Sequence, residues 1–127
     1  MSYTKRNLNE IKDSAVEYGF SEHQEARFPR TELGALATGL AYLKVKAGKR
    51  EAFAHRHAQA EEILVVLAGS GRVKLDAELV DLAPLDAVRI SPGVTRGLEA
   101  GDDGLEVIVF GAHVAGDGEM IQDFWDS

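Results

Sequence analysis

The chain has 127 residues, no cysteine, and 14 Lys and Arg against 21 Asp and Glu, for a net charge of −7. That length suits one domain with its own core, and 45% hydrophobic with 28% charged residues is an ordinary globular balance, not a disordered one. The acidic balance argues against nucleic acid or an anionic membrane as partner, and the missing cysteines exclude disulfides, thiolate zinc sites and cysteine nucleophiles, leaving His, carboxylate or water to hold any metal.

In chain order, the start (Met1 to Asn7) is polar, with no apolar segment behind it of the kind a secretory leader carries. The longest apolar run, Ile63 to Ala68, is far too short for a membrane span. The expectation is a cytoplasmic protein with no membrane partner. Residues 1–32 read as an irregular N-terminal arm with one short strand at most; Leu8, Ile11, Val16, Phe20 and Phe28 need the domain body or a second copy to pack on. From residue 33 glycines cut the chain into short segments of strand character. Residues 39–46 alternate, with Leu40 and Tyr42 on one face and Ala41, Leu43 and Val45 on the other. Phe53, His55 and His57 share a face by the same period of two. Ile63 to Ala68 reads as a strand buried on both faces. Residues 72–75 and 79–82 form a hairpin around Asp76-Ala77-Glu78, and 87–90 and 105–110 add two more strands. Short strands at this spacing predict an all-β sandwich or barrel over residues 33–115. Residues 116–127 form a tail whose Phe124-Trp125 pair would be an apolar liability if exposed, so it should cover the barrel or a partner subunit.

The chemistry concentrates between Gly48 and Gly69. Two histidines at i and i+2 on a strand project to one side with Cβ atoms roughly 7 Å apart, close enough for both imidazoles to meet one ion. A carboxylate at the mouth of the next strand, Glu62 or Glu61, supplies a third corner, and burial there demands a partner. Two imidazoles and a carboxylate suit Fe(II), Mn(II), Ni(II) or Zn(II). The plainer alternative for such a pair is a solvated or structural role.

The stretch resembles the first motif of the cupin family, G(x)5HxH(x)3-4E(x)6G. Here it runs His55-x-His57, four residues, Glu62, six residues, Gly69, with Gly48 one residue further out than the pattern asks. The resemblance implies a cupin-type β-barrel (a double-stranded β-helix, or jelly roll), often a homodimer, with His55, His57 and Glu62 as interior ligands and Glu61 facing outward. The family's second motif, G(x)5PxG(x)2H(x)3N, is degenerate. Aligned on Gly93, it places Leu85 for the first Gly, Ser91 for Pro, Arg96 for the ligating His and Ala100 for Asn. Arginine has no lone pair to give a metal.

Two readings of Arg96 follow. In one, His55, His57 and Glu62 hold a divalent metal (Fe, Mn, Ni or Zn) with open positions, and Arg96 anchors a substrate. In the other, no metal is tightly bound and Arg96 pairs with Glu62. The corresponding functions are an enzyme of oxygenase or isomerase/epimerase type acting on a small anionic or hydroxylated substrate, with His55 and His57 catalytic, and a non-catalytic barrel binding a sugar-like or carboxylate ligand. A degenerate barrel kept for its fold is the third. Tyr42 and Phe53 are candidate substrate contacts, each with a plain core role as alternative. His23 reads as a surface residue and His113 as a turn residue, each also a candidate for the missing fourth ligand.

Overall fold

Aliphatic residues alternating with polar ones build most of the strands, and glycine or aspartate turns end them. The structure, a computed structural model, describes residues 2–126. Among these, eight strands join in one antiparallel sheet curled into a barrel: β1 (Gln24–Arg27), β2 (Thr38–Val45), β3 (Ala54–His57), β4 (Glu62–Leu75), β5 (Glu78–Leu82), β6 (Ala87–Ile90), β7 (Arg96–Ala112) and β8 (Gly118–Ile121). Two helical turns, α1 (Ser14–Glu17) and α2 (Arg30–Leu33), flank β1. No described helix is long and apolar enough to cross a membrane.

The long strand β7 organises the sheet. It pairs with β2 from Val45↔Leu105 to Thr38↔Ala112, with most of β4, and with β3 at His55↔Arg96. The β4–β7 register shifts between Val66 and Ala68 and again between Gly69 and Gly71, the irregularities that let a long ladder bend. Gly69, the last residue of the family motif, has φ 80°, and a Cβ there would lie 2.1 Å from the Gly104 carbonyl oxygen. No other residue fits that crossing of β4 and β7.

The core follows the alternation. Leu43 and Val45 of β2, Leu64, Val66 and Val73 of β4, and Leu105 and Val107 of β7 point inward and are buried. The run Ile63 to Ala68 differs from its expectation as a strand buried on both faces. Leu64 and Val66 are closed off, whereas Ile63 and Val65 are only half-buried and Leu67 is 41% exposed. One face of β4 lines the barrel interior and the other is the barrel's outer skin. Two further differences concern length. Residues 63–68 and 72–75 belong to one strand that continues through Gly69-Ser70-Gly71, and β7 reaches back from residue 105 to Arg96. The polar stretch Glu99 to Gly104 resembles a loop in composition. It stays in the ladder through the pairs Arg72↔Glu99 and Gly71↔Ala100, and Arg72 donates to the Glu99 carboxylate at 2.6 Å.

Both ends of the chain return to the barrel. Asp13 Oδ1 accepts from Ala15 N and Ala26 N, fixing α1 against β1, and β1 pairs with β2 from Gln24↔Val45 to Arg27↔Tyr42. Ile11 and Ala15 are buried and Phe20 packs against the core. At the other end β8 pairs with β3 from Ala54↔Ile121 to His57↔Gly118. Lys74 Nζ donates to the Phe124 carbonyl oxygen at 2.5 Å, and the Arg50 guanidinium lies 4.5 Å from the centre of the Trp125 ring. Gly97 leaves the room for this cover: a Cβ there would meet Trp125 Nε1 at 3.2 Å.

Candidate functional site

The period of two on β3 sends His55 and His57 to the barrel interior, with their rings edge to face at 5.3 Å. Glu62, the first residue of β4, reaches them from the next strand in sequence. Its Oε1 lies 3.4 Å from His57 Nε2 and 3.9 Å from His55 Nε2. Arg96, the first residue of β7, sits directly opposite His55 and is 3% exposed. Its guanidinium donates to that same Glu62 oxygen at 2.9 Å and to the Val94 carbonyl at 3.0 Å. Glu61 points out of the barrel, 3.6 Å from Arg89.

Burial alone would raise the Glu62 pKa, but a hydrogen bond from His55 and the charges of His57 and Arg96 outweigh it and hold the group below the ordinary carboxylate range. The carboxylate is therefore ionised at neutral pH. Burial pulls the Arg96 pKa down from its usual height, and Glu62 and Glu51 push it back up.

Two carboxylates that the spacing argument does not single out complete the centre. Asp117 Oδ2 lies 3.3 Å from His57 Nδ1, off the line of a good hydrogen bond. The same carboxylate accepts from Gln59 N at 2.8 Å and Ala60 N at 3.0 Å, so it also fixes the turn between β3 and β4. Glu51, four residues before His55, accepts from Leu98 N at 2.8 Å and lines the cavity beside the histidines; burial raises its pKa. Neither position has a local signal, because one comes from the tail and the other from the loop before β3.

The cavity above the centre has a volume of about 640 Å³. Phe53 lines it and packs edge to face on Phe20 of the arm, with ring centres 5.5 Å apart. His113 also lines it but is exposed and stands outside the ligand group. His23 takes no part in the cavity wall; its backbone carbonyl bonds to Lys46 N. Tyr42 points away from the cavity. Its hydroxyl donates to Glu106 at 2.5 Å across the β2–β7 ladder, because odd-numbered β2 residues face the interior. Arg96 lies behind Glu62 and does not line the cavity, so its guanidinium is not presented to a ligand.

A profile described as a cupin domain matches residues 41–111. The chain belongs to the cupin family. Solved cupin folds superpose over nearly all of it. A cupin protein from Bacteroides fragilis is 21% identical with a TM-score of 0.71, over 91% of this chain and 88% of that one. A polyketide cyclase from Streptomyces resistomycificus is 18% identical with a TM-score of 0.74, over 93% and 84%. A putative sugar phosphate isomerase from Acidithiobacillus ferrooxidans is 19% identical with a TM-score of 0.69, over 91% and 78%. At these identities the likeness is one of fold. No curated protein matches this sequence.

Within this cupin, one ligand atom from each of His55, His57 and Glu62 lies within 4.8 Å of the others, the only such group among the described residues. By donor type and convergence the three fit a divalent ion. The charge balance is less favourable. Arg96 already holds the Glu62 oxygen that both imidazoles face, and an incoming ion would meet a permanent positive charge there.

Proposed function

We propose that this cupin binds a small organic molecule in its barrel and moves a proton on it through His55 and His57, with Arg96 as the resident cation of the centre. The observation that carries the reading is the 2.9 Å Arg96–Glu62 pair on the oxygen shared by both imidazoles. The guanidinium fixes Glu62 as an anion. Both imidazole Nε2 atoms face that anion, and Asp117 Oδ2 lies 3.3 Å from His57 Nδ1. A ring nitrogen of a cavity-lining histidine takes a proton from the bound molecule, and the same ring returns one. That is isomerase- or epimerase-type chemistry, and without turnover the same groups serve a binding barrel.

A second reading is favoured by the convergence of His55, His57 and Glu62. These residues would hold a divalent ion, which polarises an oxygen of the bound molecule. Elemental analysis of the purified protein separates the two, with His55→Ala and Arg96→His beside it. The first reading expects little metal in the wild type and at least a tenfold gain in zinc affinity in Arg96→His. Near-stoichiometric metal that disappears in His55→Ala would overturn it in favour of the second.

A further inference from the structure

We propose that Gln24 is a ligand-binding residue of the cavity, and that the molecule held there offers a carbonyl oxygen to its carboxamide N–H. The proposal rests on the ligand-binding reading above. It adds a specificity residue from the N-terminal arm, outside both sequence motifs.

Gln24 opens β1, and the period of two turns it inward with Ala26. It lines the cavity and is only 7% exposed. Its Oε1 accepts from Ala52 N at 2.9 Å. A backbone N–H can bond only to the oxygen of a carboxamide, so this contact fixes which way the group is turned. The oxygen is spent on the protein, and the NH2 end keeps two donors. Among the described residues, no protein group accepts from Nε2. Nor is that nitrogen sealed inside the protein. The fully enclosed side-chain atoms without a partner are Arg27 Nε and His57 Nδ1. The Gln24 nitrogen therefore opens on the cavity that its residue lines.

A donor held in this way calls for an acceptor. Covered by a ligand that lacks one, it costs free energy, and a ligand that supplies one avoids that cost. A carbonyl oxygen suits it best, with two lone pairs and no donor of its own to satisfy. A hydroxyl brings such a donor, and a hydrocarbon leaves the NH2 unpaired. The surroundings match a carbonyl borne on a ring. Gln24 N donates to the Phe20 carbonyl at 3.2 Å, and Ala52 directly precedes Phe53. Both phenyl rings line the cavity, edge to face at 5.5 Å. The carboxamide and the aromatic wall thus come from the same two segments, and a flat molecule with a carbonyl on its edge uses both.

The test is an NMR titration of the isotope-labelled protein at pH 7 with three probes of one shape, 1-indanone, 1-indanol and indane. The side-chain NH2 signals of Gln24, assigned through its own backbone, report on the wild type directly. We expect 1-indanone to move them downfield, 1-indanol to move them less, and indane not to move them downfield. Gln24→Glu keeps an oxygen for Ala52 N and replaces the NH2. In that variant the ratio of 1-indanone to indane affinity should fall at least fivefold. Binding of 1-indanone without a downfield shift would overturn this inference and leave the ligand-binding reading standing. So would an unchanged ratio in the variant, or a shift from 1-indanol as large as that from 1-indanone. If none of the three probes binds, both fail.

Discussion

Leu85 stands where the family's second motif begins with glycine, and its backbone keeps the glycine conformation at φ 71°. A leucine in the left-handed region carries roughly 1–2 kcal/mol of steric strain. At 81% exposure it recovers little of this by burial. Leu85→Gly should therefore stabilise the protein by about 1 kcal/mol after the extra freedom of glycine in the unfolded chain is subtracted. Urea denaturation measures this, and an unchanged or lower midpoint would show that the turn tolerates leucine without strain. Arg96 makes the opposite kind of departure from the motif. Where the pattern has a neutral lone-pair donor, this chain places a permanent cation, and Glu62 accommodates it by a direct bond. The two departures are only eleven residues apart in the sequence, yet one leaves the backbone path intact and the other changes the chemistry of the centre.

At the scale of elements, the tail does more than end the chain. β8 supplies the outer edge for the histidine strand, and Phe124 and Trp125 close over Gly97, Lys74 and Arg50. Trp125→Ala should cost roughly 1–3 kcal/mol, less than a fully buried tryptophan because the ring keeps some exposure. A loss below about 0.5 kcal/mol in denaturant would mean that the tail packs without contributing to stability. This element also marks the limit of what the sequence discloses. His55, His57 and Glu62 are legible because their spacing lies within two strands consecutive in sequence. So is the barrel, because aliphatic alternation and turn residues repeat at short range. β8 and the first half of β7 are not legible: Gly118 to Ile121 and Glu99 to Gly104 have the composition of loops and become strands only through partners far along the chain. Asp117 and Glu51 share that obscurity for the same reason. Tyr42 shows the converse. Its place on a barrel strand is readable, but facing in or out depends on a register that one residue of slip would reverse.

For the molecule as a whole, the outer face of β4 and β7 stands out. Ile63, Val65, Ile108 and Phe110 lie there in register and only half-buried, beside Leu67 at 41% exposure. On this apolar stripe, on the skin of a barrel with net charge −7, we propose that two copies of the chain meet. Sedimentation at micromolar concentration should give a dimer, and Leu67→Glu should shift it towards monomer by at least tenfold in dissociation constant. A wild-type monomer, or a dimer indifferent to Leu67→Glu, would remove this face from consideration.

The pairing of β3 has a consequence for biosynthesis. The strand that carries both histidines meets β7 at one register position and β8 at four, and the carboxylate behind His57 is Asp117. At ~5–20 residues per second on the ribosome, the histidines emerge several seconds before the segment that holds them. The centre is thus complete only once Asp117 and β8 have been synthesised.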